Sequence, residues 1–585
     1  MNNFKLALLA LITAGVVGCG GGGGGGGGTA SDDNETTPVA SSGAANQTVT
    51  NTTQTITDTH PSSTETAPET ASKNVVYDDG VAKHSAVYLD SVDRVENGSR
   101  GTTIKALQFD FNKDGKMDYV KFRNHNYNGL YLEAWINNGN KNFTHDPKYF
   151  AAVGNAWGSS WDGEFVDINN DGREDFVAHH SGCFAEYGAT NCLPPLMQAA
   201  DGTFHVTTHP LLAKLTGHYN KTMDVDGDGD LDILSQRIVP EENRGYPNQN
   251  FTGRWGIDKQ VWYVYENVSV DGAAAYVEHK DVFSFAPDMT DPGMLGNGRY
   301  NQYGNFVGAI AVLDVNSDGR LDFVYSGAGW DQMEQDGFKA LGEGNDTPPS
   351  YKVGTVFAIN NGNFTFSEGK DMWLNEEAKF ISMYGAYTND FDGDGDIDIF
   401  MPGAGLDKHG FDGEPDAMLW NVNGKFFTDY GTDNTWGFDM FTHQHGMADV
   451  DNDGDMDLVT GAASGKDIRA MCPNDSLAGF IRVMLNDGDG TFSKGFETCL
   501  GVFTTGTGSN QKHYDDFASG MMVGDIDGDG NVDIFSGDRG FSYDFILWGN
   551  GTGNYNMTER EYLNAPFTSN EINELIPLTP TPLTK

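Results

Sequence analysis

The stretch Asp224–Ser235 reads "DVDGDGDLDILS", with five aspartates in nine residues before it turns abruptly apolar. The same D-x-[DN]-x-D-G-x-x-D spacing occurs seven times, beginning at Asp110, Asp167, Asp224, Asp314, Asp390, Asp449 and Asp525. Oxygens at alternate positions 1, 3 and 5 can converge on one centre. Gly at 6 permits the sharp turn, residue 7 offers its carbonyl, and Asp at 9 completes the set. Six to eight hard oxygens are what Ca²⁺ takes, whereas Mg²⁺ demands a tighter octahedron. The expected side-chain ligands are Asp110, Asn112, Asp114 and Asp118 in the first loop and Asp167, Asn169, Asp171 and Asp175 in the second. Asp224, Asp226, Asp228 and Asp232 serve the third, and Asp314, Asn316, Asp318 and Asp322 the fourth. Asp390, Asp392, Asp394 and Asp398 form the fifth, Asp449, Asp451, Asp453 and Asp457 the sixth, and Asp525, Asp527, Asp529 and Asp533 the seventh. Up to seven structural Ca²⁺ ions follow. Without them the carboxylates repel one another, so each loop should order only when filled.

An EF-hand needs Glu at position 12. Here that position holds Lys121, Ala178, Ser235, Tyr325, Met401, Thr460 and Ser536, and no helical period flanks the loops. Short β-type runs lie on both sides, such as "AIAVLD" before and "DFVYS" after, so each loop joins two strands of a hairpin. A second phrase follows in each unit: "LEAWINNGNKNFT", "VFAINNGNFTF", "AMLWNVNGKFFT", "VMLNDGDGTFS" and "FILWGNGTGNYN", more weakly "PLMQAADGTFH" and "VWYVYENVSV". It reads as strand, turn, strand. Each unit is therefore four antiparallel strands A to D, with the aspartate loop between A and B and a variable join between B and C. Loops recur at intervals of 57, 57, 90, 76, 59 and 76 residues. Repetition on that scale, in four-stranded units, predicts an all-β, seven-bladed β-propeller.

The units resemble FG-GAP/VCBS repeats, whose calcium-loop blades build the integrin alpha-subunit propeller and many bacterial surface proteins. The resemblance covers about residues 100–560 and implies fold and Ca²⁺ sites, while one fold hosts many activities.

Successive antiparallel strands reverse direction, so the A–B loops and the B–C joins lie on opposite faces. The long insertions, among them "HHSGCFAEYGATNCLPP" and "SGAGWDQMEQDGFKALGEGNDTPPSYK", are B–C joins. Apart from Cys19 there are four cysteines, an even number in an exported chain, which permits three disulfide pairings. Cys183–Cys192 and Cys472–Cys499 are the most local and are favoured; the second would tie a B–C join to the approach to the next blade. Function usually lives on loops held by a rigid scaffold, so the elaborated face is where a ligand is expected. Strand A is innermost in a propeller. Six positions before the first Asp, four blades carry Trp161, His218, Tyr384 and His443, with His445 two residues on. Tyr219, Tyr303, His513 and Tyr514 lie in other approaches to strand A. Such rings at a channel mouth suit stacking on sugars; the alternative is that they plug the channel as packing.

Three sharper chemistries are weighed. His443 and His445 offer two ligands to a transition metal, but no third is evident. A polysaccharide lyase needs a Tyr or His base and a cation for the sugar carboxylate; His443, Tyr384, His218 and Tyr219 are candidates, with Arg299, Arg254 or Arg244 as the cation. A serine hydrolase is set aside because no G-x-S-x-G elbow is present.

The N-terminus "MNNFKLALLALITAGVVGC" has the layout of a secretory signal, and "VVGC" resembles the lipobox of bacterial lipoproteins, in which Cys19 is lipidated. Gly20 in place of Asp implies, by that resemblance, the outer membrane. Nine glycines and a Thr/Ser/Asn-rich run follow, a flexible tether whose ~55 residues reach roughly 40 Å. The net charge of −48 argues against nucleic acid. The expected organisation is a signal peptide at 1–18, a tether at 19–74, a propeller at 75–565 and a tail at 566–585, with a strand closing the ring considered for 75–97. The expected function is a calcium-stabilised, lipid-anchored surface module binding a glycan or protein ligand; a polysaccharide lyase is the alternative.

Overall fold

The computed structural model describes residues 102–124, 130–154, 162–179, 193–215, 217–239, 259–270, 272–280, 282–283, 306–328, 353–380, 383–405, 413–431, 435–462, 466–472, 479–500, 502–505, 512–515, 520–537, 544–562 and 572–575. The chain divides into two compact units, 1–83 and 84–585, and every described residue belongs to the second. The signal, Cys19, the tether, segment 75–97 and Cys183 and Cys192 lie outside the described residues. Among those described, no helix is long and apolar enough to cross a membrane.

The fold is a seven-bladed β-propeller of four-stranded antiparallel sheets. Strands A to D of blade 1 are Thr102–Phe109, Asp118–Asn124, Leu130–Asn137 and Phe143–His145; those of blade 2 are Gly163–Val166, Asp175–Ala178, Leu196–Gln198 and Phe204–Val206. Blade 3 uses Gly217–Met223, Asp232–Val239, Lys259–Asn267 and Tyr276–Lys280, and blade 4 Phe306–Leu313, Asp322–Ala328, Val356–Asn360 and Phe366–Glu368. Blade 5 uses Tyr387–Asn389, Asp398–Met401, Ala417–Asn421 and Phe426–Asp429, and blade 6 Thr442–Ala448, Asp457–Ala462, Phe480–Asn486 and Phe492–Cys499. Blade 7 is Gly520–Gly524, Asp533–Gly537, Phe545–Leu547 and Glu561–Tyr562.

Strand B is the best buried. All four residues of Asp175–Ala178 and Asp398–Met401, and all six of Asp457–Ala462, are buried. Both faces of a blade press on neighbours, so a central strand reads as a nearly continuous apolar run. Between each pair of blades lies a separate apolar core. Phe109, Phe111 and Phe122 meet Phe176 and Phe204 between blades 1 and 2, and Phe391 and Phe400 meet Leu458 and Met484 between blades 5 and 6. Each fully buried Phe or Leu contributes about 2 kcal/mol.

The ring closes by the same packing. Ala106 and Tyr119 of blade 1 join Met522, Ile526, Phe535 and Ile546 of blade 7 in one core. The Lys121 ammonium pairs with Asp544 at 2.5 Å, and Gln108 donates to the Asp525 carbonyl at 3.1 Å. Each of the seven blade sheets takes its four described strands from one stretch of chain.

Two expectations shift. Strand D of blade 7, expected near Tyr555, is Glu561–Tyr562 after a short turn at Met557–Glu559. Tyr555 instead enters the core between blades 6 and 7, its hydroxyl donating to the Val532 carbonyl at 2.8 Å. In addition Ile572–Leu575, expected in a tail, pairs with Val502–Thr505, which also pairs with Lys512–Asp515. His513 and Tyr514 therefore sit in that extra sheet, ahead of strand A of blade 7.

Candidate functional site

All seven aspartate loops adopt one conformation. The first Asp accepts a hydrogen bond from the position-6 glycine N–H in every loop, for example Asp110 from Gly115 at 2.9 Å and Asp314 from Gly319 at 2.7 Å. The position-5 carboxylate accepts from the position-7 N–H in every loop. Position 6 has positive φ throughout, from 80° at Gly172 to 106° at Gly454, a region that glycine enters without a Cβ clash. The residue at position 2 is apolar and buried each time, from Phe111 to Ile526, and pins the loop to an inter-blade core.

Position 9 does something else besides. Asp457 accepts from Val450 N–H at 2.7 Å with one oxygen and from Asn486 N–H at 2.8 Å with the other. Asp118, Asp175, Asp232, Asp322, Asp398 and Asp533 repeat this clamp between position 2 of the loop and the end of strand C. Burial pushes the carboxyls of Asp175, Asp232, Asp398, Asp457 and Asp533 up to about 7, against the pull of those N–H donors. The strand-C residue that donates is Asn in five blades, and three of these asparagines also stitch one blade to the previous one. Asn137 donates to Ile526 O at 2.8 Å, Asn360 to Val225 O at 2.7 Å and Asn486 to Phe391 O at 3.0 Å. The recurrent Asn was visible in "WINN", "AINN", "LWNV" and "MLND", but a turn signal alone does not disclose the clamp.

The carboxylates gather closely enough to hold a metal ion in four loops: Asp224, Asp226 and Asp232; Asp390, Asp392 and Asp398; Asp449, Asp451 and Asp453; Asp525, Asp527 and Asp533.

Away from the loops, strands A pack on one another between blades 3 and 4, 4 and 5, 6 and 7, and 7 and 1. A polar cluster gathers on strands A of blades 1 to 3, with Asp162 just before strand A and His179 just after strand B of blade 2. Lys105 Nζ lies 3.7 Å from Asp162 Oδ2, and His179 Nε2 lies 3.4 Å from Glu164 Oε2. Lys221 pairs with Glu164, which also accepts from Thr222 N at 2.8 Å and Thr222 Oγ1 at 2.7 Å. Burial opposes ionisation of both carboxyls, yet Lys105 and His179 hold Asp162 below the usual range, and Lys221 and His179 hold Glu164 well below it. Tyr387 Oη sits 2.5 Å from His445 Nδ1 and donates to the His445 carbonyl at 2.9 Å. Burial raises the Tyr387 phenol to about 12, Lys105 pulling the other way.

Of the expected ring, the side chains of Tyr219, Tyr384 and His445 are among those described. Tyr219 is buried and stacks on His179 at 5.5 Å, and His445 is buried against Gly385, where a Cβ would overlap its imidazole. Tyr384 is half-buried just before strand A of blade 5. His218 and His443 each fall on the extra residue of a β-bulge, since pairing skips from Gly217 to Tyr219 and from Thr442 to Gln444. Blades 1 and 4 carry the same bulge at Ile104 and Gly308. A bulge inserts one unpaired residue into the strand, so the parity of strand A shifts at the six-before-Asp position. Trp161, Tyr303, Arg299, Arg254 and Arg244 lie outside the described residues. The residues that sequence reasoning missed, Lys105, Asp162 and Glu164 with Lys221 and Tyr387, occupy the alternate parity, five and three places before the Asp.

The pairing of Cys472 with Cys499 is present, with Cα atoms 6.0 Å apart. Cys499 ends strand D of blade 6 itself, so the bond fastens the B–C join and its helix Lys466–Met471 to their own blade, not to the next.

The model of the FG-GAP-like repeat matches residues 110–178, from the first Asp of loop 1 to the end of strand B in blade 2. No curated protein matches the sequence. Among solved structures the chain is similar to the V. cholerae biofilm matrix protein Bap1, at TM-score 0.30 and 11% identity over 78% of this chain and 82% of that one. It is also similar to rhamnogalacturonan lyase YesW, at 0.29 and 12% over 77% and 86%, and to exotype rhamnogalacturonan lyase YesX, at 0.29 and 12% over 77% and 78%. Likeness of that size carries no functional argument.

Proposed function

We propose that this chain is a calcium-stabilised surface module, anchored through a lipid on Cys19 at the outer membrane, that binds a glycan or protein ligand on the face opposite the aspartate loops. The observation that supports it is an asymmetry of joins. Every A–B join holds eight residues, as between Phe109 and Asp118, whereas B–C joins run from five, between Asn124 and Leu130, to 27, between Ala328 and Val356. A fixed scaffold with one elaborated face is the layout of a recognition surface. Calcium fits the loops through the hard oxygens of positions 1, 3 and 5 and the carbonyl of position 7, and would neutralise their charge.

One observation favours the lyase alternative: Tyr387, His445 and Lys105 bring a phenol, an imidazole and an ammonium together on the inner strands. The raised phenol weighs against its acting as a base near neutral pH.

The test uses the Cys19→Ser chain with Ca²⁺ and a panel of acidic and neutral polysaccharides, following retention and ultraviolet absorbance together. Retention without absorbance supports the module. Absorbance from unsaturated uronates that vanishes in Tyr387→Phe replaces it with the lyase. Neither signal on any glycan sends the search to protein ligands.

A further inference from the structure

The seven loops share a backbone but not a charge. Loops 1, 2 and 4 pair Asn at position 3 (Asn112, Asn169, Asn316) with a basic residue at position 7 (Lys116, Arg173, Arg320). Loops 3, 5, 6 and 7 pair Asp at position 3 (Asp226, Asp392, Asp451, Asp527) with Asp or Asn at position 7 (Asp230, Asp396, Asp455, Asn531). The two positions change together, and the structure gives the reason.

In the first set the basic side chain turns back onto the position-5 carboxylate of its own loop. Lys116 Nζ lies 2.9 Å from Asp114 Oδ2, and the guanidinium groups of Arg173 and Arg320 pair with Asp171 and Asp318. Both arginines are tethered at the other end as well: their Nε atoms donate to Gln198 O and Asn360 O, each at 2.8 Å. These loops carry an internal counter-cation.

In the second set no position-7 cation exists, and carboxylate oxygens are left over. Two of the expected ligand oxygens, Asp390 Oδ1 at position 1 of loop 5 and Asp451 Oδ1 at position 3 of loop 6, are buried with no hydrogen-bond donor; among the described carboxylates only Asp230 Oδ1, at position 7 of loop 3, and Asp416 Oδ2 share that condition. A buried carboxylate oxygen without a donor is costly unless something positive meets it. In this set position 3 adds a further carboxylate to the convergent group, whereas in loops 1, 2 and 4 a neutral amide oxygen stands in that place, as Asn112 Oδ1 accepting from Asp114 N–H at 2.8 Å. Loop 7 has a lysine nearby, Lys141 of blade 1 at 3.4 Å from Asp527, but its side chain is 40% exposed and is not tied to the position-5 oxygens.

We infer that the propeller holds its calcium ions in two affinity classes: four tight sites in loops 3, 5, 6 and 7, and three weak sites in loops 1, 2 and 4, where a lysine or arginine does part of the ion's work. The inference rests on calcium being the cation. Ligand charge count is a main determinant of calcium affinity. Replacing Asp by Asn at position 3 and adding a cation at position 7 removes enough negative charge to separate the classes by at least about tenfold in Kd. The grouping also predicts where calcium depletion is felt first, since blades 1 and 2 are neighbours and draw on the same apolar core.

Native mass spectrometry across a series of buffered free-calcium concentrations counts ions directly. The expected result is a plateau at four ions before the remainder bind. Asn169→Asp combined with Arg173→Asp should raise that plateau to five, and Asp451→Asn combined with Asp455→Arg should lower it to three. Melting curves at saturating calcium identify any variant that fails to fold; the opposite-going variant then decides. Binding of all ions in one step, or a plateau unmoved in folded variants, overturns the two classes. No bound calcium at any concentration overturns the calcium reading itself, and with it this inference.

Discussion

The two ends of every blade obey opposite rules. At the aspartate end the join is eight residues long in all seven blades, and the same hydrogen bonds recur in each. At the other end the join varies from five residues to 27. The difference lies in what each end holds. An A–B loop is fixed at three places: its first Asp gathers its own N–H groups, its position-2 side chain sits in an inter-blade core, and its position-9 Asp reaches strand C. One residue more or less would undo all three. Among the described residues the B–C joins share no such recurrent anchor: Val353–Gly354 of blade 4 pair with Lys379–Phe380, Glu414 N–H of blade 5 donates to Met440 O at 3.1 Å, and in blade 6 the disulfide between Cys472 and Cys499 holds the join.

The comparison breaks most severely if the cation is removed. Stripping calcium with a chelator should lower the midpoint of thermal unfolding by about 10 °C or more, because each tightly bound ion contributes about 2–3 kcal/mol at a hundredfold excess over its Kd. Differential scanning calorimetry with and without chelator measures it; an unchanged midpoint would mean that hydrogen bonds alone hold the aspartate end. Next in size is Asp457→Ala. It leaves the buried N–H groups of Val450 and Asn486 without an acceptor and should cost about 3–4 kcal/mol. Asp457→Asn keeps one acceptor oxygen and should recover roughly half in a denaturant titration. Equal losses would show that charge, and not the clamp, is what position 9 supplies.

That end of the blade was legible because its requirements are local. A nine-residue spacing encodes the loop, and a period of two on either side encodes the hairpin, so the seven blades could be counted from sequence. The strand-C partner of position 9 was not legible: Asn486 lies 29 residues from Asp457, and an Asn before a turn reads as turn chemistry. The inner-strand cluster was missed for a different reason. Alternation pointed to one parity of strand A, through His218 and His443, but a bulge at that position disturbs the alternation. Lys105, Asp162 and Glu164 belong to blades 1 and 2, and nothing in a single repeat says that the ring will bring such charges together. The ring's closure, through Tyr119, Phe535 and Lys121–Asp544, was equally a property of the whole circle.

The inner cluster sharpens the comparison by isolating a scaffold element that uses no loop. Glu164→Gln removes the partner of Lys221 and should cost about 2 kcal/mol at pH 7, less than a fully buried pair because both side chains keep some contact with water. Its pH dependence has a definite sign. Lys221 and His179 depress the folded Glu164 carboxyl against the opposing effect of burial, so its stabilisation is present above the unfolded value near ~4.3 and is lost as pH falls through and below it. At saturating calcium the wild-type midpoint should therefore fall more steeply than that of the variant below about pH 4.5. Parallel curves would assign the pair no net role.

The smallest expected effect on stability is also the most informative. Residues 332–348 lie within the longest B–C join, between Ala328 and Val356. Replacing them with a short Gly/Ser turn shortens the join, and since closure entropy grows slowly with length, a join that serves recognition alone should move stability by no more than about 0.5 kcal/mol. If the elaborated face carries recognition, the same variant should lose retention on whatever ligand the intact chain binds, with its melting curve and calcium plateau unchanged. A large fall in the melting midpoint would make the long join part of the scaffold. Full retention with an unchanged midpoint would move recognition to another join or to the inner strands, where Tyr387 and His445 wait beside Lys105.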